Sequence, residues 1–210
     1  ISFGTPVIFD TDRAMRISAT YDSTNQKVVI AYASDGTSNT FYGTAVVGTV
    51  SGTSISFGSP VTFHSSYTAN TSAVYDSSNQ KVVLAYRAGG NSNYGTAIVG
   101  TVSGTSISFG SEYAFNSAGT SNISAIFDST NSKVVIAYTD NGNSDYGHAI
   151  VGTVSGTSIS FGSETVFESA STSYISAVYD STNQKVVIAY RDDGNSYYGT
   201  AVVGTVSGTS

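Results

Sequence analysis

Hydrophobic and polar positions alternate in short blocks along this chain, and no stretch carries the spacing of an amphipathic helix. Ile175-Ser176-Ala177-Val178-Tyr179 predicts a short β-strand, stopped by the turn formers Asp180-Ser181-Thr182-Asn183-Gln184. Lys185-Val186-Val187-Ile188-Ala189-Tyr190 follows, and its unbroken apolar run predicts a strand covered on both faces. The polar segment Arg191-Asp192-Asp193-Gly194-Asn195-Ser196 leads into a third strand, Thr200-Ala201-Val202-Val203-Gly204-Thr205-Val206, closed by the hairpin turn Ser207-Gly208-Thr209-Ser210. An Ile-Ser-Phe-Gly segment, as in residues 107–115, supplies the fourth strand. The unit is a four-stranded antiparallel meander.

The unit is written four times. Ile-Ser-Phe-Gly recurs at Ile1, Ile55, Ile107 and Ile159, and each copy ends in Val-Gly-Thr-Val-Ser-Gly-Thr-Ser, so the repeats 1–54, 55–106, 107–158 and 159–210 use every residue. A period of this size belongs to solenoids, propellers or arrays. The small-residue strand Ile-Ser-Ala-Val-Tyr-Asp at 175–180, followed by Lys-Val-Val-Ile-Ala-Tyr-Arg-Asp at 185–192, resembles the blades of four-bladed β-propellers of the hemopexin-like size class. The same strand pair is similar to blades of propeller lectins, adhesins and sialidase-type propellers. The chain departs from those families in having no Trp, hence no Trp-Asp pair and no Ser-x-Asp-x-Gly-x-Thr-Trp box; Ser34-Asp35-Gly36-Thr37 and Asp192-Asp193-Gly194-Asn195 are distant echoes of that box.

The resemblance implies an all-β fold, a four-bladed β-propeller forming a single domain over residues 1–210. The phase of the repeat adds how it would close. The chain opens on a fourth strand and stops after a third, so residues 1–9 are expected to join the sheet of residues 175–206 and seal a ring. An open array and a larger ring built from two half-ring chains are the alternatives to a monomeric ring. Because the chain starts and stops on repeat boundaries, it reads as a processed chain or a segment of a longer one.

The four copies differ on one side only. Antiparallel strands place their connections on two opposite faces. On one lie the Asp-Ser-Thr-Asn-Gln-type turns and the Ser-Gly-Thr-Ser turns, nearly invariant, with all four Lys beside them. On the other, the blade-to-blade segments 10–16, 64–70, 116–122 and 168–174 diverge, as do the segments opening at Ala33, Arg87, Thr139 and Arg191, and the first copy carries a two-residue insertion there. All four Arg, both His and the single Met lie in or beside these variable segments. Unconstrained loops drift, but drift alone would act on both faces. The asymmetry predicts a recognition surface.

Composition trims the partners. A formal net charge of −6 with no basic run argues against nucleic acid or an anionic membrane as partner. There is no Cys, so no disulfide, thiol nucleophile or Cys-ligated zinc, and no apolar run long enough for membrane insertion; no signal peptide opens the chain. A Cys-free chain rich in Ser, Thr, Asn and Gly suits an extracellular, cell-surface or phage-particle protein.

The candidate ligand-binding residues are the variable aromatics and charges of that face: Tyr67, Tyr174 and Tyr197, with Arg87, Arg191, His64, Glu168 and Asp192. Sugar rings dock on aromatic faces while Arg, Asp and Asn take the hydroxyls. The carboxylates of the face sit in polar segments and read as ordinary solvated anions, His64 and His148 read as surface histidines, and no blade assembles a hydrolase's carboxylate pair; no catalytic residues and no enzymatic activity are expected. No cofactor is required, although Asp140, Asn143 and Asp145 around Gly142 have spacing suited to calcium. The expected function is glycan recognition without catalysis. A structural or protein-binding spacer ring of a surface or phage protein is the alternative, and a glycan-cleaving enzyme the third.

Overall fold

The computed structural model describes residues 1–35 and 40–210. It holds fourteen strands in one antiparallel sheet and, among the described residues, no helix. The first module comprises β1 (Arg13–Asp22), β2 (Lys27–Asp35), β3 (Phe41–Ser51) and β4 (Ser54–Phe57), and the chain continues into β5 (Val61–Asp76), β6 (Lys81–Ala88) and β7 (Tyr94–Ser103). Then come β8 (Ser106–Asp128), β9 (Lys133–Asp140), β10 (Tyr146–Ser155), β11 (Ser158–Phe161), β12 (Thr165–Asp180), β13 (Lys185–Asp192) and β14 (Tyr198–Gly204).

Strands β5, β8 and β12 each serve two modules. The first part of β5 pairs with β3 through Val61 and Ala45, and its second part pairs with β6 through Asp76 and Lys81. The segments expected to be blade-to-blade loops are therefore mostly strand: they lack proline, and their backbone finds ladder partners such as Ala69 against Arg87 and Ser173 against Arg191. A bulge turns each of them, placed between Ala69 and Ser72, Ser121 and Ser124, and Ser173 and Ser176, and between Met15 and Ser18 in β1.

The double-sided burial expected of the second strands is present in the middle modules, whereas β13, on which Ala189 is exposed and Val187 half-buried, is covered on one side. Val82, Leu84 and Tyr86 of β6 pack with Val29, Ala31 and Val47 of the first module, while Val83 and Ala85 pack with Val134, Ile136 and Tyr138 of the third. A third core joins Val135, Ala137 and Val151 to Val186, Ile188 and Tyr190. The fold is a file of modules with a dry core between each neighbouring pair.

The fourth strands lock into the third. A Cβ on Gly100 would lie 2.7 Å from Ile107 Cδ1 and 2.9 Å from Phe109, with Gly48 against Ile55 and Phe57 and Gly152 against Ile159 and Phe161 repeating the contact. These glycines are fixed by close approach.

The ring is not closed. Residues 1–12 carry no strand, and no strand among the described residues pairs with the free edge of β14. The first residues lie at the other end of the file, where Phe9 packs on Tyr32 and Phe57 with centroids 5.0 and 5.8 Å away, as Phe63 packs on Tyr86 and Phe109. The expected seal between residues 1–9 and the last module is thus corrected: the segment follows the module that succeeds it in sequence, and three intervening modules separate it from β14.

The invariant face holds as expected. Asp22, Asp76, Asp128 and Asp180 each accept backbone N–H groups two and three residues on and the Asn side chain three on. Gly52, Gly104, Gly156 and Gly208 take the left-handed conformation that closes the other turns. At Asp128 burial pushes the carboxyl up, yet the bonds from Asn131 and Thr130 outweigh it and hold the group below its ordinary value of 3.8; at Asp180 the Asn183 bonds do the same. A folded-state pKa below the unfolded one stabilises the chain above pH ~4, and that stabilisation is lost as pH falls through the folded value. Melting temperature should therefore drop steeply below pH ~4. Asp128→Asn with Asp180→Asn should flatten that drop, and an unchanged pH profile of the double variant would refute the assignment.

Candidate functional site

Two backbone positions of the variable face stand out among those in the left-handed region, the first found in all four modules and the second in the last three. One is the bulge residue, Arg16, Asn70, Asn122 or Tyr174, with φ between 49° and 53°. The other closes the turn between second and third strands: Asn93, Asp145 and Tyr197 have φ of 65°, 60° and 62°. Asn and Asp tolerate this conformation and Tyr does not. The middle modules use Asn, Asn, Asn and Asp. The last module uses Tyr at both.

Those two tyrosines meet. The Arg191 guanidinium lies 4.8 Å from the Tyr174 ring centroid and 5.1 Å from that of Tyr197. Asp193 fixes the guanidinium from the side, accepting from Nε and Nη2, and is itself bound by Ser173 Oγ at 3.2 Å. The ion pair raises the pKa of Arg191 and lowers that of Asp193. Tyr174 and Tyr197 stay 72% and 66% exposed, so each ring gives one face to the cation and keeps broad surface for water or a ligand. Strain of this kind collects where a side chain is needed for something other than folding.

The other surface candidates are spread among modules. Tyr67 carries Arg16 over its ring at 5.3 Å and accepts a 2.8 Å bond from its guanidinium. Arg87 donates through Nε to Asn93 Oδ1 at 3.0 Å. Arg87 on β6 and Arg191 on β13 have the whole third module between them in strand order, and each is held by partners of its own module.

Four of the residues singled out in the sequence turn inward. His64 and His148, expected at the surface, are buried, and so are Asp140 and Asp192 among the carboxylates expected to be solvated. They belong to a cluster between modules that the sequence did not announce. Tyr32, Tyr86, Tyr138 and Tyr190 each bring a hydroxyl toward a carboxylate: Asp10, Glu112, Glu164 and Glu168. Burial first, and then the carboxylate, pushes every one of these hydroxyls up, Tyr190 to about 12. Tyr138 donates to Glu164 at 2.7 Å and Tyr190 to Glu168 at 2.9 Å. His64 Nδ1 meets Glu112 at 2.8 Å, and His148 Nδ1 lies 3.4 Å from Glu164. Glu112 and Glu164 were missed; for Glu164 the signal was His148, in a strand position that is Thr in the other three copies, and for both the position reads Pro in the first two copies and Glu in the last two.

In the first module the equivalent space is open. Thr44 stands where the third module has His148, and Pro60 where it has Glu164, leaving a pit of about 250 Å³ lined by Asp10, Asp12, Ser34, Tyr42, Thr44 and Pro60. Ser34 Oγ and the Asp12 N–H both donate to Asp10, at 2.8 and 2.9 Å. The two-residue insertion and the Gly36-Thr37 half of the distant box echo lie in or beside residues 36–39, outside the described residues.

For calcium, the predicted trio does not pool its oxygens in this structure. Asp140 accepts from the Gly142 N–H at 2.9 Å, Asp145 accepts from Asn141, and the Asn143 amide lies 3.1 Å from His148 Nε2. Asp140 instead shares a space with His148 and Glu164, whose ligand atoms lie within 4.8 Å of one another.

No family model matches the chain, and no curated protein matches it. Among solved structures it is similar to an exo-β-1,3-galactanase from Phanerochaete chrysosporium, crystallised with β-1,3-galactotriose. The TM-score is 0.54 at 10% identity, over 94% of this chain and 51% of that one. The chain thus spans about half the length of that structure, and the likeness carries the fold. It corrects one expectation: the architecture that was read as non-enzymatic is one on which a glycoside hydrolase is built, so the absence of a familiar motif is no argument against catalysis.

Replacing Tyr174 and Tyr197 by Asn should stabilise the chain. Relief of a left-handed non-Asn residue returns about 1 kcal/mol per site, against about 0.5 kcal/mol lost from an exposed cation–π contact. The double variant should show a higher denaturant midpoint at unchanged slope; a lower midpoint would mean that the tyrosines serve the fold.

Proposed function

We propose that the chain acts on carbohydrate, binding glycans through the variable face of a propeller-like file of modules. The observation that supports this reading is the Arg191 platform: two strained, exposed tyrosines hold a cation between them. Aromatic faces take the C–H side of a sugar ring, and the guanidinium with Asp193 takes its hydroxyls or a carboxylate. The galactotriose-bearing neighbour agrees with the ligand class. Such a role fits an extracellular, cell-surface or phage-particle setting, with a glycan or a glycan-bearing surface protein as partner.

A glycan array probed with the purified chain, with and without calcium, tests the proposal. Hits should fall at least about tenfold in the Tyr174→Asn/Tyr197→Asn variant, the loss of some 1.4 kcal/mol. Arg191→Ala should do the same, while Arg87→Ala reports whether a second module takes part. A blank array from folded protein would sink the reading and favour a protein-binding spacer. One observation favours a second reading, glycan hydrolysis: the open pit of the first module places Asp10 and Asp12 together beside Tyr42. Release of reducing ends from the bound glycans, abolished by Asp10→Asn, would establish it.

A further inference from the structure

At the junction of the third and fourth modules stands a cluster of donors that the Arg191 platform does not use. Asp140 ends β9, His148 lies on β10, and Glu164 immediately precedes β12. In the ladder His148 is opposite Tyr138 on one side and Val166 on the other. Side chains alternate between the faces of a sheet, so Tyr138, Asp140 and His148 project from the same face. Glu164, two residues before Val166, comes to that face as well and accepts the Tyr138 hydroxyl at 2.7 Å.

The imidazole sets this cluster apart. His148 is 2% exposed, and its Nδ1 makes no hydrogen bond among the described residues, although Glu164 Oε2 lies 3.4 Å away. A buried polar atom without a partner carries a cost, and an ion held beside it removes that cost. The 3.4 Å separation is also the edge of a tetrahedron whose donors each stand about 2.1 Å from a central zinc. Tyr138 stacks on the ring, with centroids 5.8 Å apart and planes 29° from parallel, and so fixes its orientation. The Asn143 amide lies 3.1 Å from Nε2, nitrogen foremost. A half-turn of that amide presents its oxygen, which holds the proton on Nε2 and leaves the Nδ1 lone pair to coordinate. Asp140 is buried, and the Gly142 N–H donates to one of its oxygens at 2.9 Å, which aims the carboxylate.

The other copies supply the comparison. At these three positions the first module has Ser34, Thr44 and Pro60, and the second has Ala88, Thr96 and Glu112. The first therefore offers no charged or imidazole donor, and the second offers one carboxylate. His64 occupies a different place in the repeat, and its Nδ1 is already bonded to Glu112 at 2.8 Å.

We propose that Asp140, His148 and Glu164 form a binding site for a divalent transition-metal cation, with zinc the best match. One imidazole and two carboxylates are donors that zinc takes, whereas calcium calls for about six to eight oxygens. The ligand atoms of the three residues lie within 4.8 Å of one another, a spread that the bound cation draws in. Three protein donors leave a position open, and it faces solvent on the Glu164 side, where that side chain is 46% exposed. Water or a ligand hydroxyl completes the shell there. The cation ties β9 and β10 to the head of β12.

Calorimetric titration of zinc chloride into the tag-free full chain, dialysed first against a chelator, should show one equivalent bound saturably. Calcium chloride should not compete. His148→Thr installs the residue of the other three copies and Asp140→Ala that of the second, so the fold already accommodates both. Each should weaken zinc binding at least about tenfold, the scale on which even outer partners of a metal act. His64→Asn, which installs the residue of the third copy, should leave zinc affinity unchanged. Excess zinc should raise the melting temperature of the wild type and of His64→Asn but not of His148→Thr, and the metal-free melts confirm that each variant is folded. A wild-type chain that takes up no zinc would overturn the proposal. Uptake that survives both His148→Thr and Asp140→Ala would do so too, marking the binding as adventitious.

Discussion

Every module of this protein depends on its neighbours because its second strand is apolar on both sides. Val82, Leu84 and Tyr86 face one way and Val83 and Ala85 the other, and neither side can be left wet without exposing a continuous patch. A single meander would therefore be marginal by itself, whereas three dry cores in series make a stable file. Gly48, Gly100 and Gly152 belong to the same constraint, since only the absence of a side chain lets the fourth strand seat its Ile and Phe against the third. The polar lacing between modules, Ser hydroxyl to Ala N–H and Tyr to Thr, holds the spacing between adjacent first strands.

With stability assigned to the cores and the invariant turns, the opposite face is free to vary. Its variation follows the backbone. Among the positions that change are two left-handed ones, where Asn or Asp is the comfortable choice and where Tyr174, Tyr197 and Arg16 stand at a conformational cost. The inter-module clusters vary in another way: a Tyr hydroxyl faces a carboxylate in every module, but the acid comes from Asp10 or Glu168 in two of them and from Glu112 or Glu164 in the others. The carboxylate comes from different chain positions, and in the first module an open pit lies beside it.

Much of this was legible in the residues. Alternation and turn formers located the strands, the repeat located the modules, and the unbroken apolar runs of the second strands announced the two-sided burial found in the middle modules. Tyr174 and Tyr197 could be singled out because they break the pattern of the other copies, and Arg191 because its position varies among Ala, Arg and Thr. What was illegible depends on distance between chain segments. His64 and His148 looked like surface residues because their neighbours in sequence are polar, yet the partners that bury them, Tyr86 with Glu112 and Tyr138 with Glu164, lie elsewhere in the chain. Ring closure failed for a related reason. Strand phase says which edge residues 1–9 complement, but not whether the curvature of four modules brings that edge within reach, and here the segment rests three modules away.

The strands shared between modules have a mechanical consequence. The 23 residues of β8 leave one meander and enter the next without a break in their extended course apart from the bulge, and β5 and β12 do likewise over 16 residues each. No linker of free length intervenes, so tilting one module against another would have to tear ladder hydrogen bonds and part a packed core. The array is a ruler. Whatever its loops hold is presented at fixed intervals and in fixed orientation, so selectivity for a target can reside in the spacing of that target's own repeated features as much as in the chemistry of any one of them.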